Sequence, residues 1–436
     1  MGIKVVKFGG SSLASAAQIA KAVAIVVADP DRRYLVASAP GKRDASDTKV
    51  TDLLYQAYER RDGDYAYTLA TIKQRYVDIA QELGVSVDLD TPFAEIERRL
   101  TDKPERDYFA SRGEYLNSLL IAAYLGWTFI DAAEVVRFSE SGEFLPDQTD
   151  VLLGTALAQA DHAVVPGFYG ATASGEIKTF PRGGSDVTGA LVARAALAEV
   201  YENWTDVSGL LIADPRIVDD PLPIRRLSYT ALRELTYLGA SVLHENAIHP
   251  VRERGIPINI RNTNHPDDPG SWIRAQSPST PTGPAIVGVA GKTGYTAVTV
   301  HKAQWSGVHG VGQLVFDLFE ALNVVVDVAL TGVDAWTFVV RTDALTALEQ
   351  PFAESLAVLR PDKVEFREDL ALLGIISSGA VSRNTVSLRL SQALADASIE
   401  VYADAYAGDL RIITLPAARH DDAIRAIYDA LVVTPF

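Results

Sequence analysis

The stretch at residues 5–13, Val-Val-Lys-Phe-Gly-Gly-Ser-Ser-Leu, constrains the fold more than any other part of the chain. An apolar strand runs into two adjacent glycines and two hydroxyl residues, and a helix-forming run then begins at Ala14. Glycines let backbone N–H groups close on a phosphate, and the N-terminus of the following helix adds a positive dipole end. Lys7 precedes the glycines, whereas the lysine of a P-loop follows them. The turn therefore predicts a phosphate site of another type. Taken alone, it is also compatible with an ordinary turn that connects a strand to a helix.

Strand-like and helix-like segments alternate through the first part of the chain. Short apolar runs lie at 34–38, 127–131, 162–168, 200–206 and 256–261, and longer runs with helical spacing lie at 17–28, 50–59, 65–83, 112–125, 149–160 and 186–198. This alternation predicts a largely parallel sheet covered by helices on both faces. Such sheets bind ligands at the carboxyl ends of their strands. Informative polar or glycine residues do follow strands, at Gly9, Ser38, Gly167 and Asp206.

The pattern changes near the end of this region. Residues 264–284 carry five prolines and no helical period, which predicts a linker or a loop that ends a domain. Two β-α-β-β units follow, with strands at 296–301, 324–329, 336–341, 370–376, 399–402 and 410–415 and helices at 312–322, 386–395 and 421–431. These units predict two small ferredoxin-like modules, with one irregular α/β domain as the alternative.

Composition excludes several functions. The chain has 436 residues, with 40 basic against 56 acidic side chains and a formal charge of −16, which disfavours nucleic acids and anionic membranes as partners. It contains no cysteine, so disulfides, thiolate metal sites and a thiol nucleophile are excluded. We expect a cytoplasmic protein, because neither a secretory signal nor a run long enough to span a membrane is evident.

Five local clusters occur in order along the chain. They lie at 7–12, at 38–41 with Thr51-Asp52 downstream, at 111–114 (Ser-Arg-Gly-Glu), at 181–186 (Pro-Arg-Gly-Gly-Ser-Asp) and at 204–207 with Asp214-Pro215-Arg216 following. Their order and spacing resemble those of the aspartate kinases, within the amino acid kinase family. The likeness covers essentially the whole chain, because paired C-terminal ACT modules, small regulatory domains, also belong to that family. It implies the α/β amino acid kinase fold, a mainly parallel sheet between helical layers, plus two ferredoxin-like ACT modules.

The resemblance also implies a reaction. It is the ATP-dependent phosphorylation of the β-carboxylate of L-aspartate to 4-phospho-L-aspartate, the first step of the biosynthesis of lysine, threonine and methionine, with Mg²⁺ carried by ATP. The chemistry agrees, because a carboxylate is already a nucleophile at pH 7 and needs only positioning and charge neutralisation. The alternatives are another amino acid kinase, acting on glutamate or N-acetylglutamate, and a non-catalytic amino-acid sensor of the same fold.

The site residues are carried over from matching positions of the family. Lys7 and Asp186 are the expected catalytic residues; the nucleotide is expected at Lys7, Gly9, Gly10, Ser11, Thr205, Asp206 and Arg216; and aspartate is expected at Ser38, Thr51, Glu114, Phe168, Arg182, Ser185 and Asp186. A guanidinium such as that of Arg182 grips a carboxylate with two hydrogen bonds, and a carboxylate such as Glu114 suits an ammonium group. Read locally, Arg182 is equally a surface loop residue, Glu114 a dipole-stabilising residue near a helix start, and Asp186 an N-cap.

Three departures from the family pattern qualify this transfer. The loop after Gly41 is longer than usual, so Thr51 has Thr48 as a rival for the substrate contact. Ser241 replaces a nucleotide-contacting lysine of many members, and Leu211 replaces a tyrosine. These two changes make the expected nucleotide pocket less polar and less cationic. No protein-bound metal is expected, because His162, His244 and His249 match no ligand spacing.

The resemblance further implies interleaved modules and regulation. The predicted domains are 1–283 for catalysis, 294–363 for the first ACT module, and 284–293 with 364–436 for the second, because the strand at 286–290 is expected to cross over. ACT pairing implies a homodimer or higher homo-oligomer. Effector contacts are expected at Val308, Val311, Asp327 and Thr331, with lysine as the natural partner of Asp327. A carboxylate in that apolar strand must face solvent or meet a cation. Gly332 and Val333, however, stand where a lysine-sensitive relative has polar residues.

Overall fold

The structure, a computed structural model, describes residues 2–61, 63, 65–102, 105–181, 183–240, 243, 248–275, 284–305, 309–348 and 352–434. The chain divides into two compact units whose sequences interleave. The first unit contains Met1–Leu210, Pro223–Tyr229 and Ser241–Ser277, and the second contains Leu211–Leu222, Thr230–Ala240 and Pro278–Phe436. Two segments from within the predicted catalytic region thus belong to the second unit.

The strands of the two units are numbered in chain order. They are β1 (Lys4–Phe8), β2 (Arg32–Ala37), β3 (Thr128–Phe129), β4 (Ala163–Pro166), β5 (Tyr169–Ala171), β6 (Ile177–Thr179), β7 (Val200–Thr205), β8 (Arg226–Ser228), β9 (Ile258–Asn262), β10 (Ser271–Arg274), β11 (Ile286–His301), β12 (Val326–Thr331), β13 (Ala335–Arg341), β14 (Lys363–Ser377), β15 (Ala403–Ala407) and β16 (Leu410–Pro416).

The helices are numbered in the same way. They are α1 (Ala16–Val27), α2 (Val50–Glu59), α3 (Ala66–Leu83), α4 (Asp90–Asp102), α5 (Arg106–Leu125), α6 (Ala132–Val135), α7 (Pro146–Ala158), α8 (Gly184–Ala195), α9 (Tyr229–Tyr237), α10 (Ile248–Glu253), α11 (Val311–Ala321), α12 (Thr342–Thr346), α13 (Phe352–Ser355), α14 (Arg383–Asp396) and α15 (His420–Tyr428). None of the helices within the described ranges is long and apolar enough to cross a membrane.

The first unit is built on an eight-stranded sheet with the order β3-β4-β2-β1-β7-β9-β10-β8. Neighbouring strands are parallel except for β9 and β10, which confirms the predicted, mainly parallel sheet. β1 lies between β2 and β7, and its Val5, Val6 and Phe8 side chains are fully buried. Helix α8 packs on β1, β2 and β7, and α5 packs on β4. The central position of β1 brings the glycine turn to the middle of the sheet edge.

Several predicted boundaries in this unit are wrong. Helix α5 begins at Arg106, earlier than the predicted 112, because buried polar side chains such as Arg112 and Glu114 hide its helical period. Helix α4 was not predicted at all. The segment 264–284, predicted as a linker or loop, contains strand β10, which gains its structure from pairing with β8 and β9. Four residues are too few to show a period of their own, so only the tertiary pairing reveals this strand.

The second unit contains a six-stranded antiparallel sheet with the order β12-β13-β11-β14-β16-β15. The expected crossover of 286–290 is confirmed, because Ile286 lies opposite Ser377 and Ala290 lies opposite Gly374 in β14. This segment is not a separate strand, however. It continues through 301 as the sixteen-residue strand β11, whose second half also pairs with β13. The sheet is therefore continuous across the predicted boundary at 293–294, and the domain limits given above stay a prediction.

The predicted strand at 399–402 is wrong, and the observed strand β15 begins at Ala403. Ile399 instead completes the end of α14: its N–H donates to the Leu394 carbonyl at 2.8 Å, and the Ser398 N–H donates to the Ala395 carbonyl at 2.9 Å. Ser398 has a φ of 53°, so the helix ends in the left-handed turn of a Schellman motif. An apolar residue at this position packs back on its helix and mimics the start of a strand.

Candidate active site

The glycine turn after β1 is held by short backbone hydrogen bonds. The Gly9 N–H donates to the Trp204 carbonyl at 3.0 Å, and the Ser12 N–H donates to the Gly9 carbonyl at 3.1 Å, which begins a 3₁₀ turn before α1. Gly41 packs against this turn, with its N–H 2.8 Å from the Gly10 carbonyl oxygen. A Cβ at Gly41 would lie 2.6 Å from the Gly10 carbonyl carbon, so only glycine allows the two loops to approach this closely.

Lys7 and Asp186 form a buried ion pair beside this turn. The Lys7 Nζ lies 2.6 Å from Asp186 Oδ1, and the two side chains are 9% and 14% exposed. A Cβ built on Gly9 would lie 3.6 Å from the same Nζ, which places the ammonium next to the glycines. Asn203 donates from Nδ2 to Asp186 Oδ1 at 2.9 Å. Its strand β7 pairs with β1 so that Asn203 lies opposite Lys7. The position of the Lys7 ammonium is thus fixed by residues of β1, β7 and α8.

The position of Asp186 excludes the alternative interpretation as an N-cap. Gly183 is the N-cap of α8, with a φ of 77°, and Asp186 lies in the first turn with its side chain directed to Lys7. The main chain of Asp186 is anchored as well, since its N–H donates to the Gly183 carbonyl at 2.8 Å and its carbonyl accepts from the Tyr201 hydroxyl at 3.1 Å. The Asp186 carboxylate therefore does not cap helix α8 and instead pairs with the Lys7 ammonium.

Phe168 and Ser185 are brought together through Gly167. A Cβ at Gly167 would lie 2.6 Å from the Ser185 Cβ, so the loop after β4 rests directly on the start of α8. Phe168 itself has a φ of 81°, an unfavourable conformation that costs about 1–3 kcal/mol. Its N–H donates to the Thr188 hydroxyl at 3.0 Å, and its carbonyl accepts from the Phe180 N–H at 2.8 Å. Both sides of this strained peptide are thus held in place.

Glu114 is a buried carboxyl group in the middle of α5. It lies about two turns after Arg106, which excludes the interpretation as a dipole-stabilising residue at a helix start. Burial raises its pKa to about 8, against the opposing effects of the Ala39 backbone N–H and the charges of Arg112 and Lys7. Its Oε2 has no hydrogen-bond partner among the described residues. A cationic group entering here would stabilise the ionised form and supply the missing donor.

Asn117 connects this helix to another predicted site residue. Its Nδ2 donates to the Ser38 carbonyl at 2.7 Å, one turn of α5 after Glu114. The Ser38 N–H donates to the Phe8 carbonyl at 3.2 Å, so Ser38 lies between α5 and the end of β1. Sequence reasoning missed both Asn117 and Asn203. The signal for Asn203 was present, because two polar residues interrupt the apolar strand β7.

The remaining predicted nucleotide residues are distributed between the units. Thr205 ends β7, where its carbonyl accepts from the Thr263 N–H at 2.9 Å and its hydroxyl donates to Asp206 Oδ1 at 3.1 Å. Arg216 belongs to the second unit, as does Leu211, and its exposed guanidinium pairs with Asp214. The predicted residues Arg182 and Val308, together with Ser241 and His244, lie outside the described residues.

The two threonine candidates lie on either side of the start of α2. Thr51 is the second residue of α2, and Thr48 precedes the helix, with both half-buried. Of the two, Thr48 has its carbonyl bound by Arg75, at 3.1 Å. The choice between the threonines stays a prediction.

The predicted effector residues have different environments in the second unit. Asp327 is half-buried on β12 and accepts a hydrogen bond from the Tyr237 hydroxyl of α9, a partner that the sequence did not predict. Burial raises the Asp327 pKa, while the hydrogen bond from Tyr237 and the charges of Lys292 and Arg341 oppose the shift. Val311 begins α11 and packs in the apolar core with Phe338, whereas Thr331 is exposed at the end of β12.

No cluster of three or more histidine, aspartate or glutamate side chains suited to a metal ion occurs within the described ranges. His162 stacks on Trp127, with ring centroids 4.7 Å apart. His249 lies 3.6 Å from Glu253 on the exposed side of α10. Both histidines therefore have ordinary packing or surface contacts.

The chain is similar to a protein family and to named relatives. Residues 2–262 match the model of the amino acid kinase family. Aspartokinase 3 of Bacillus subtilis is 34% identical over 419 residues, which are 92% of this chain and 91% of that protein. The chain belongs to the amino acid kinase family, as one of its aspartate kinases. The family expected from the five clusters, its fold and the enzyme class are thereby confirmed.

Solved structures of aspartate kinases share this fold. The crystal structure of Clostridium acetobutylicum aspartate kinase covers 99% of the chain and is itself covered completely, with a TM-score of 0.87 and 36% identity. Escherichia coli aspartokinase III, solved in complex with aspartate and ADP, gives a TM-score of 0.73 at 24% identity, over 98% of this chain and 99% of that one. Several plant relatives are longer, and the chain spans between 49% and 62% of their length.

Proposed function

We propose that this aspartate kinase transfers the γ-phosphoryl group of ATP to the β-carboxylate of L-aspartate, giving 4-phospho-L-aspartate and ADP. The observation that carries the proposal is the position of the Lys7 ammonium, paired with Asp186 at 2.6 Å and adjacent to the glycine turn. A cation held at a phosphate-binding turn stabilises the charge that develops on a phosphoryl group in transfer. The 34% identity to Aspartokinase 3 over nine-tenths of both chains supports the choice of substrate.

The reaction needs few groups from the protein. An aspartate carboxylate oxygen forms the new bond to the γ-phosphorus, while the bond between that phosphorus and the β,γ-bridging oxygen breaks and its electron pair leaves with ADP. Lys7 neutralises charge on the phosphates, and Asp186, fixed by Asn203, keeps the Lys7 ammonium in place. Because the attacking carboxylate is already ionised at neutral pH, no residue has to remove a proton from it. Positioning and electrostatics then account for the catalysis.

The two α-groups of aspartate require complementary charges. We assign Glu114 to the substrate ammonium, because its buried carboxyl group lacks one hydrogen-bond partner among the described residues. We assign Arg182 to the α-carboxylate, on the strength of the family resemblance and of the bidentate geometry of a guanidinium. Ser38, Thr51, Phe168 and Ser185 complete the proposed aspartate site. A substrate with both α-groups free fits this pair better than N-acetylglutamate.

Several finer assignments belong to the same proposal. The phosphoryl donor is ATP carrying Mg²⁺, bound by Gly9, Gly10, Ser11, Thr205, Asp206 and Arg216. The ACT modules pair in a homodimer or larger homo-oligomer, and an amino acid regulates the enzyme through Val308, Val311, Asp327 and Thr331. A cytoplasmic location remains the expectation from the sequence. The global charge of −16 makes the local cation at Lys7 necessary for binding an anionic nucleotide.

The test is an acyl-phosphate assay with Mg²⁺ and ATP, in which hydroxylamine traps the product. We expect turnover with aspartate and none with glutamate or N-acetylglutamate. Turnover with glutamate instead would show that the enzyme is another amino acid kinase, the first of the two alternative functions. Binding of an amino acid by calorimetry, without turnover of any of the three substrates, would indicate the non-catalytic sensor. Repeating the aspartate assay with lysine, threonine and methionine added then identifies the effector.

A further inference from the structure

Arg75 is a buried arginine on α3 that belongs to none of the five clusters. It is 5% exposed, its guanidinium donates hydrogen bonds to three main-chain carbonyl groups, and it forms an ion pair with one carboxylate. Nη1 donates to the Thr48 carbonyl at 3.1 Å and lies 3.3 Å from Asp47 Oδ2. Nη2 donates to the Ala14 carbonyl at 3.1 Å and to the Gly41 carbonyl. A planar guanidinium with N–H donors on both terminal nitrogens can donate to three carbonyls and still pair with a carboxylate.

The three carbonyls belong to different segments of the site. Ala14 closes the turn that begins at Gly9, so its carbonyl marks the far end of the phosphate loop (residues 9–14). Gly41 donates its N–H to the Gly10 carbonyl at 2.8 Å, in the middle of the same loop. Thr48 lies in the segment that leads into α2 and Thr51. One guanidinium therefore joins the phosphate loop to the substrate loop (residues 38–51).

Asp47 ties Arg75 to the part of the loop that is longer than usual. Arg43 also pairs with Asp47, through Nε at 2.9 Å and Nη2 at 3.0 Å. The Arg43 side chain is 52% exposed, whereas that of Arg75 is 5% exposed. Hydrogen bonds from Arg43, together with the charge of Arg75, hold the pKa of Asp47 far below its ordinary range. The carboxylate thus stays ionised and anchors the insertion 42–49 to α3.

We propose that Arg75 is a positioning residue that sets the phosphate loop and the substrate loop at a fixed separation. The two substrates then bind at the distance and orientation that phosphoryl transfer requires. The inference rests on the proposed function, because it takes the phosphate loop to hold ATP and the substrate loop to hold aspartate. Loss of the guanidinium leaves buried carbonyls without donors in both loops at once. Both loops then move, and displacement of a bound substrate by about 1 Å can lower the rate on the order of 10²-fold.

The test compares Arg75→Lys with Arg98→Lys. Both variants keep the positive charge and lose the planar guanidinium, but Arg98 is exposed on α4 and pairs only with Glu95 and Asp102 of its own helix among the salt bridges of the described residues. We expect Arg75→Lys to raise KM for both ATP and aspartate and to lower kcat/KM by about 10–100-fold, whereas Arg98→Lys stays within about 2-fold. Hydrogen exchange should accelerate in residues 9–14 and 41–48 of Arg75→Lys together. The kinetic constants are measured well below the unfolding temperature of each variant.

A merely structural Arg75 would give a different result. The thermal midpoint of Arg75→Lys would fall while kcat and both KM values per folded molecule stayed unchanged, and this outcome overturns the proposal. Should Arg75→Lys fail to fold, Asp47→Asn replaces it, with the KM for aspartate rising and the KM for ATP following in the same direction. If the wild type phosphorylates no amino acid, the proposed function fails. The role of Arg75 is then tested by comparing the Mg²⁺-ADP affinity of the wild type with that of Arg75→Lys. An unchanged affinity in the variant refutes the positioning role.

Discussion

Glu114→Gln replaces a buried carboxyl group with a neutral amide of nearly the same shape. The native pKa of about 8 stands above the ordinary value of 4.5 because burial disfavours the charged form. Between these two pH values the folded protein holds a proton that the unfolded chain has released. Stability of the native enzyme therefore falls as pH rises from 4.5 to 8, and glutamine, which cannot ionise, removes this loss.

The magnitude follows from the two pKa values. Their separation corresponds to on the order of 5 kcal/mol of lost stability at pH above 8, an upper bound because a charged side chain relaxes its surroundings. The variant should therefore gain several kcal/mol relative to wild type between about pH 5 and pH 9. Urea unfolding of both proteins across this pH range measures the difference between their free energies of unfolding. The titration of all other groups cancels in this difference. Glu97→Gln, an exposed change on α4, serves as the control.

The same group predicts the pH dependence of substrate binding. Free Glu114 must lose its proton before it can pair with the substrate ammonium. The KM for aspartate should therefore fall about tenfold per pH unit on approaching pH 8 and level off above it, whereas the KM of Glu114→Gln should be high and flat. A stability difference between wild type and variant that is the same at pH 5 and pH 9 would refute the assigned pKa. A pH-dependent KM in the variant would remove Glu114 from the ammonium site.

Three further variants test the proposed roles. Lys7→Ala should lower kcat by on the order of 10²–10³ with aspartate affinity nearly unchanged, while Lys4→Ala, which breaks a surface pair on the same strand, should keep full turnover in the same assay. Arg182→Lys should mainly raise the KM for aspartate, and a fall in kcat alone would assign Arg182 to the phosphates instead. Titrating lysine against wild type and Asp327→Ala should show inhibition of the wild type only, with a coupling of about 1–3 kcal/mol; equal responses exclude Asp327 from the effector site.

The class of fold and the family were predictable because their signals are local. Glycines that permit a close approach of backbone to ligand, a lysine on the preceding strand and the alternation of strands and helices are all properties of short segments. The crossover of 286–290 to the second module was predictable too, through the resemblance. The predictions of secondary structure were wrong where a local sequence pattern is misleading or absent. Ile399 looks like the start of a strand but ends a helix, and the short strand β10 has no period until it pairs with its neighbours.

The sequence by itself determined which residue types this site contains, since Lys7, the glycines, Glu114 and Asp186 stand in recognisable clusters. Only the tertiary structure decided how they are held. Asn203 faces Asp186 because β7 pairs with β1 in one register, and Arg75 reaches Ala14, Gly41 and Thr48 because α3 packs beside loops that are distant in sequence. Likewise, Asp327 meets Tyr237 because a segment from the predicted catalytic region belongs to the second unit. Such contacts depend on packing between remote segments, and no local pattern encodes that packing.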